Sequence, residues 1–293
     1  MNNNFEEKQY LNLIQNILDN GDYIESRNGN IYSIFGNMMR FSLKNKTIPI
    51  LTTKKTAHKT CLKELLWFIS GNTSNEELTK QKVYIWNDNS SREFLDSRGL
   101  TEYDEGDLGP VYGFQWRHFN APYVDCNTNY ENQGIDQLQN VIDLLKDPKS
   151  RHSRRIILSA WNPCQLDKMA LPPCHILAQF HVSSNNELSC SLYQRSGDVG
   201  LGVPFNIASY SFLTHLIAHH CGLDVKDFVY FLGNAHIYEE HIEKLKEQLN
   251  NKCYDFPKIN ILNKYENIND YTIDDFKIIN YKCGDKINMV MKA

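Results

Sequence analysis

The spacing of apolar residues predicts three helices in the first half of the chain. Apolar side chains recur every three or four positions over residues 10–18, and Asn20-Gly21-Asp22 is a typical stop signal. The same spacing predicts helices over residues 61–70, ended by Gly71, and over residues 135–146, ended by the approach to Pro148.

Apolar runs and turn residues predict the strands and the remaining helices. Strands are expected at residues 156–161, 176–183, 187–194 and 228–232, with a turn at Asn185-Asn186, and in pairs around Gly36-Asn37 and Cys283-Gly284-Asp285. Residues 205–221 and 237–249 predict two more helices. Long helices interleaved with hairpins favour an α+β fold, a mixed β-sheet flanked by helices. Because no repeat or linker divides it, residues 1–293 are expected to form a single domain.

Composition narrows the functional classes. The 293 residues are 41% hydrophobic, enough for a large core, and the formal charge of -4 argues against non-specific attraction to nucleic acid or anionic membranes. The longest apolar run, residues 205–223, carries too many polar groups to span a lipid bilayer. The eight cysteines form no C-x-x-C pair, so no metal site is indicated. The N-terminus lacks a signal peptide, and a reducing, cytoplasmic location is expected.

Two prolines immediately before Cys174 make this cysteine the clearest candidate nucleophile. Pro172 and Pro173 fix the backbone and would present one side chain in a set direction. Burial statistics alone would favour a structural thiol. His175 follows directly, but neighbouring side chains on a strand point to opposite faces, so His175 is badly placed as a base for a thiol hydrolase.

Arginines supply the cations that an anionic ligand needs. Counting back across the Asn185-Asn186 turn brings Arg195 near Cys174, where a guanidinium favours a thiolate. Arg195 and Ser196 together suit a phosphate group, although exposed arginines are also ordinary surface residues. Arg154 and Arg155 precede a strand and face opposite sides, so one could serve this subunit and the other its neighbour.

Three further positions carry candidate polar chemistry, each with a structural alternative. Asn206 follows two glycines at a helix start and could bind a ligand or only cap the helix. His236 and Tyr238, near another helix start, could hold a sugar hydroxyl. Glu64 lies among apolar residues, so it is either a tuned acid or part of the polar rim of its helix.

Six ordered motifs together resemble the thymidylate synthase family from about Tyr10 to the C-terminus. The similarity leaves no room for a fused reductase domain, which favours the single-function form. The motifs are ELLWF at 64–68, GDLGPVYG at 106–113, SRRII at 153–157, LPPCH at 171–175, QRSGD at 194–198 and NAHIY at 234–238.

The resemblance implies a homodimer whose large sheets pack face to face, with Arg154 and Arg155 crossing into the partner's site. Arg27, Arg195 and Ser196 would hold the phosphate of deoxyuridylate (dUMP), and His236 and Tyr238 its deoxyribose. The full implied dUMP set is Arg27, Arg154, Arg155, Gln194, Arg195, Ser196, Gly197, Asp198, Asn206, His236, Ile237 and Tyr238.

The implied reaction is the reductive methylation of dUMP to thymidylate (dTMP) with 5,10-methylenetetrahydrofolate. Cys174 would add to ring carbon six, Glu64 and Tyr112 would move protons, and Asn206 would select uracil over cytosine. No metal, membrane or obligatory nucleic acid is implied. The implied catalytic residues are Cys174, Glu64, Tyr112, Arg195, Asp198 and Asn206, and the implied folate residues are Ile85, Trp86, Asn89, Leu171, Asp198, Leu201, Gly202, Phe205, Tyr238, Met291 and Lys292.

The sequence departs from the family pattern at Asn28, Ala57-His58, Asn87 and Lys292, which bears on the phosphate loop and on folate affinity. Two rival functions remain. One is a pyrimidine hydroxymethylase of the same fold, which Asn206 and Trp86 disfavour. The other is a non-catalytic nucleotide or RNA binder, which would not need Cys174.

Overall fold

A six-stranded mixed sheet organises the described chain, residues 4–26 and 28–292, in this computed structural model. The strands are β1 (Asp22–Ile24), β2 (Ile31–Ser42), β3 (Ile157–Ser159), β4 (His175–Val182), β5 (Glu187–Asp198) and β6 (Asp224–Tyr238), with β7 (Lys258–Ile261) and β8 (Phe276–Ile279) in a separate pair. The helices are α1 (Phe5–Asn20), α2 (His58–Ile69), α3 (Asn75–Lys80), α4 (Arg92–Ser97), α5 (Tyr112–His118), α6 (Gln137–Lys146), α7 (Gly202–Cys221) and α8 (Ile242–Leu249).

The strand order β1-β2-β6-β5-β4-β3 places the ends of β5 and β6 side by side in the middle of the sheet. These two strands run parallel, because α7 carries the chain from one to the other, and the remaining pairs in the sheet are antiparallel. Their register pairs Ser196 with Asn234 and Asp198 with His236. Polar residues far apart in sequence thus meet at the C-terminal ends of these two central strands.

Helix α7 is almost entirely buried against one face of the sheet. Its polar side chains have partners: the hydroxyls of Ser211 and Thr214 donate to carbonyls one turn earlier in the helix, at 2.7 and 2.6 Å. His215 Nε2 lies 2.8 Å from Thr47 O, outside the helix. Within the described part of the chain, no helix is long and apolar enough to cross a membrane.

The opposite face of the sheet carries a row of exposed apolar side chains. The row crosses four neighbouring strands, β2, β6, β5 and β4, through the paired residues Met38, Phe231, Tyr193 and Leu177. Their exposed fractions are 50, 42, 40 and 37%. An apolar band of this length on a sheet face is typical of a surface that packs against another protein surface.

The α+β class, the helix stops at Asn20-Gly21 and Gly71, and the turn at Asn185-Asn186 are confirmed. The hairpin at Gly36-Asn37 is wrong: β2 continues through Gly36, whose φ of 82° is accommodated opposite Gly233 while β6 stays paired on both sides. The strands expected around residues 283–285 are also wrong, because Gly284 N–H donates instead to Thr52 O.

Candidate active site

Arg195 fastens the loop that carries Cys174. Its backbone N–H donates to Cys174 O at 2.8 Å. Its guanidinium donates from Nε to Pro173 O at 2.8 Å and from Nη2 to Pro172 O at 2.9 Å. The carbonyls of both prolines thus accept from the same cation, in a segment where the two rings fix φ. One arginine therefore sets the position of the thiol and places a positive charge beside it.

The Cys174 thiol is not strongly ionised by the residues of its own chain. Burial raises the pKa of Cys174, and Arg195 and Tyr112 lower it without cancelling that effect. The Cys174 N–H donates to the Tyr112 hydroxyl oxygen at 2.7 Å. Tyr112 is 2% exposed, and burial raises its pKa well above the ordinary value, so it remains a neutral phenol. Further positive charge is needed to make Cys174 a good nucleophile.

His175 serves the core rather than the thiol. Its ring stacks on Tyr112 with centroids 4.1 Å apart, and Nδ1 lies 3.1 Å from the Tyr210 hydroxyl. Burial lowers the pKa of His175 to about 3, so the ring is neutral at any physiological pH. The thiol hydrolase interpretation therefore lacks its base.

Glu64 is a buried carboxyl with a shifted proton affinity. It is 6% exposed, and burial raises its pKa to about 7, although Trp86 Nε1 donates to Oε1 at 2.7 Å and lowers it. The alternative that Glu64 belongs to the polar rim of its helix is wrong. A carboxyl with this pKa exists in both protonation states near neutral pH, as general acid and base catalysis requires.

Ser196, His236 and Tyr238 line one cavity of about 250 Å³, together with Ser26, Asn28, Ile31 and Asn234. His236 Nδ1 lies 2.9 Å from Asn234 Oδ1, and burial lowers the pKa of His236. The expected helix start near these residues is wrong, because residues 234–238 form the end of β6 and α8 begins only at Ile242. Continued pairing with β2 keeps this segment extended.

Three other members of the implied dUMP set are involved in internal packing and hydrogen bonds of the fold. Gln194 is 2% exposed, donates to Ser196 O and accepts from the Tyr230 hydroxyl. The Ile237 side chain is fully buried in the core, so only its backbone could meet a ligand. A Cβ on Gly197 would lie 2.9 Å from Leu232 and Val203, and this close packing explains the glycine.

The arginines expected to grip phosphate are not gathered in this chain. Arg27 lies outside the described residues. Arg154 and Arg155 are exposed in a turn before β3, and neither side chain forms an ion pair with any described residue. The strand-face argument does not apply to residues in a turn. Arg195 is the arginine of this set that lies at Cys174.

Asn206 and Asp198 flank the loop between β5 and α7. Leu201, not Asn206, is the N-cap, so the capping alternative for Asn206 is wrong. Asn206 lies in the second turn of α7 and is 8% exposed, and a Cβ on Gly202 would lie 3.8 Å from its Oδ1. Asp198 Oδ1 accepts from Gly200 N–H at 2.8 Å.

The residues implied for folate lie at the surface of the same core. Five of them are half-buried: Ile85, Leu171, Leu201, Gly202 and Phe205. Met291 is 44% exposed. Trp86 is buried, with its ring 6.1 Å from that of Tyr112. Asn89 is 6% exposed, and its Nδ2 has no acceptor among the described residues.

The departures from the family pattern have local partners. Asn87 accepts from Asn75 Nδ2 at 3.0 Å, His58 starts α2 and packs its ring against Tyr281, and Lys292 pairs with Glu240. Among the described residues, no group of three or more histidines, cysteines or acids is placed to hold a metal ion.

Three residues near the site carried no signal in the sequence analysis. The Arg195 guanidinium lies over the Trp161 ring, 5.8 Å from its centroid. Lys54 is 5% exposed and donates to Gly200 O, and burial lowers its pKa to about 8. His241 lies between Asp198 and the C-terminal segment. Contacts this distant in sequence leave no periodicity or spacing to read.

Comparison with known proteins identifies the family. A model of the family described as thymidylate synthase matches residues 8–293. The chain is 54% identical to thymidylate synthase of Homo sapiens, covering 97% of this chain and 90% of the human protein. It is 51% identical to a probable thymidylate synthase of Schizosaccharomyces pombe, covering 99% of this chain and 48% of that relative.

A bifunctional dihydrofolate reductase-thymidylate synthase of Plasmodium berghei is 52% identical, covering 99% of this chain and 49% of the relative. The chain thus spans about half the length of several curated relatives that it matches. Because the family match extends over nearly every residue, the chain belongs to the thymidylate synthase family.

Proposed function

We propose that this protein converts dUMP to dTMP, with 5,10-methylenetetrahydrofolate as the donor of the one-carbon unit and the hydride. The observation that carries the proposal is the arrangement around Tyr112. Its hydroxyl oxygen accepts from the Cys174 N–H, and its ring lies 6.1 Å from that of Trp86, whose Nε1 donates to Glu64. The proposed nucleophile, a neutral phenol and a carboxyl that titrates near neutral pH are therefore linked by direct contacts.

Cys174 is the proposed nucleophile, adding through Sγ to ring carbon six of the pyrimidine. Arg195 keeps the Pro172-Pro173 carbonyls in place, so the thiol is held in one direction while the substrate binds. The phosphate of the substrate can accept from Ser196 at the cavity that His236 and Tyr238 also line.

Glu64 and Tyr112 are the proposed proton carriers. Since the pKa of Glu64 is about 7, it can take and return a proton at the pyrimidine carbonyl without a large driving force. Tyr112 stays a neutral phenol, so it can orient and polarise the water that takes the proton from ring carbon five, and the carboxylate form of Glu64 then accepts that proton from the water. Asn206 offers a donor and an acceptor to the base, and uracil presents the complementary pair.

We also propose a homodimer in which each site is completed by Arg154 and Arg155 of the partner. Ile157 of β3 pairs with Gln179 of β4, and Gln179 pairs with Ser191 of β5. Ser196 therefore lies two strands away from Ile157 and five residues further along the sheet. Strand spacings put this separation at about 20 Å, which is beyond the reach of an arginine side chain. Arg155 precedes Ile157 at the end of β3 away from Ser196. A second copy, packed on the apolar sheet face, could supply these guanidiniums.

The reaction is tested by mixing the protein with 5,10-methylenetetrahydrofolate and either dUMP or deoxycytidylate, and following dihydrofolate by absorbance. Formation of dihydrofolate with dUMP but not with deoxycytidylate supports the proposal. Cys174→Ala should bind dUMP and show no turnover, and Cys164→Ala, at an exposed cysteine outside the site, should keep full activity. Binding of dUMP without dihydrofolate formation would favour a hydroxymethylase or a non-catalytic binder.

Shared sites are tested by mixing two inactive variants, Cys174→Ala and Arg154→Ala. Random exchange of subunits forms hybrids with one site that has both the thiol and the partner's arginine, so activity should return to about a quarter of normal. No recovery under conditions where exchange is demonstrated would contradict the assignment of Arg154.

A further inference from the structure

His241 is a buried histidine between two parts of the proposed folate site. It closes the short helical turn Glu239–His241 after β6 and is 1% exposed. On one side is Asp198, at the end of β5, and on the other is the backbone of Val290, in the C-terminal segment. Neither neighbour is close to His241 in the sequence.

The contacts fix which ring nitrogen carries a proton. His241 Nε2 lies 2.8 Å from Val290 O, and a carbonyl oxygen can only accept, so Nε2 is protonated. Nδ1 lies 3.8 Å from Asp198 Oδ1 and has no hydrogen-bond partner among the described residues. In the neutral ring, this nitrogen would point a lone pair at a carboxylate. A second proton turns that repulsion into an ion pair.

We propose that His241, as the imidazolium, is a positioning residue that holds the C-terminal segment next to Asp198, so that both contact the folate. The role assigned to the folate rests on the proposed function, whereas the link between the two elements does not.

The charges around His241 agree with this arrangement. Burial lowers the pKa of His241, but the interactions with Asp198, the Val290 carbonyl and Glu240 outweigh burial, so the pKa is raised above its ordinary value of 6.5. Other titratable or charged groups also face His241 or its partner Asp198. They are Tyr10, His236, Tyr238, Lys54, which donates to Gly200 O, and Lys292, which pairs with Glu240.

Attachment of the C-terminal segment and protonation of His241 must then favour each other, because coupling between two binding events is reciprocal. A raised pKa means that the stabilisation is complete below about pH 6.5 and is lost as the pH rises through the pKa of the attached state. The folate site should therefore loosen with rising pH.

The first test needs no turnover. The pKa of His241 is measured from its ring carbon NMR resonance, assigned with His241→Gln, in the full chain and in a chain lacking residues 290–293. The shortened chain should show a lower pKa. An equal pKa in both chains would overturn the proposal.

The second test measures the KM for 5,10-methylenetetrahydrofolate against pH. In the unchanged protein KM should rise above pH 6.5, whereas His241→Gln, which keeps an N–H donor but does not titrate, should show a KM raised roughly fivefold and independent of pH. A matched control is His215→Gln: His215 is also buried, with Nε2 at 2.8 Å from a backbone carbonyl, and its pKa is lowered to about 4. That variant should keep the pH profile of the unchanged protein.

The two tests separate the inference from the proposed function. A pKa that depends on residues 290–293 in a protein without turnover would leave the link intact and refute the reaction. Turnover with a KM profile that His241→Gln does not alter would refute the positioning role alone.

Discussion

Replacing Glu64 with glutamine should remove a pH dependence of stability that this one side chain causes. Burial raises the pKa of Glu64 from 4.5 to about 7. One pKa unit corresponds to about 1.4 kcal/mol, so ionising Glu64 in the folded protein costs about 3 kcal/mol more than in the unfolded chain. Between these pKa values the folded state binds more protons, and the free energy of unfolding falls as the pH rises.

Glutamine is a suitable substitute because its amide oxygen can still accept from Trp86 Nε1. The two proteins should therefore have similar stability near pH 5, and Glu64→Gln should be the more stable by up to about 3 kcal/mol at pH 8.5. Its kcat should fall about 100-fold, the usual contribution of one general acid or base.

Urea unfolding at pH 5, 7 and 8.5 measures the difference, at one fixed protein concentration because subunit association would add to stability. Glu76→Gln is the control, since Glu76 is an exposed glutamate on α3. If the unchanged protein loses no more stability between pH 5 and 8.5 than Glu64→Gln does, the raised pKa is refuted.

Three other substitutions test separate features. Phe231→Glu should weaken self-association at least about tenfold in sedimentation, because it places a charge in the middle of the apolar row, whereas Phe5→Glu on α1 should not. Glu7→Gln should destabilise the protein by about 2–4 kcal/mol in urea at pH 8, since Glu7 accepts from both the N–H and the hydroxyl of Thr52 and of Thr53, and an amide would oppose those donors. Arg195→Lys should slow alkylation of Cys174 by iodoacetamide severalfold at pH 8, read by mass spectrometry, because a lysine cannot bond both proline carbonyls and would leave the thiol pKa higher.

Local signals predicted the elements whose ends are set by their own residues. The glycine after α2 and the asparagine turn between β4 and β5 act within one or two residues, so the sequence was sufficient. β2 and β6 differ. Gly36-Asn37 looks like a turn and residues 234–238 look like a helix start, but β2 pairs with β6 along the whole length of β2. Tertiary pairing outweighed the local preferences.

The candidate site divides in the same way. Prolines before a cysteine and an arginine after a strand can be recognised in the sequence, and the strand pairing places Arg195 at Cys174. The pKa of Glu64 could not be predicted, because it depends on burial and on Trp86, twenty-two residues away. The positions of Trp161 and His241 depend on long-range packing in the same way.

The distance between Arg154 and the Ser196 cavity has a genetic consequence. If each site takes its thiol from one chain and its arginines from another, a chain that has lost both Cys174 and Arg154 does more than fail to work. Mixed equally with normal chains, it would leave about a quarter of the sites intact rather than half, because each site must draw two sound contributions at random. Such an allele would behave as a dominant inhibitor, whereas two alleles that each lack one contribution would partly rescue each other.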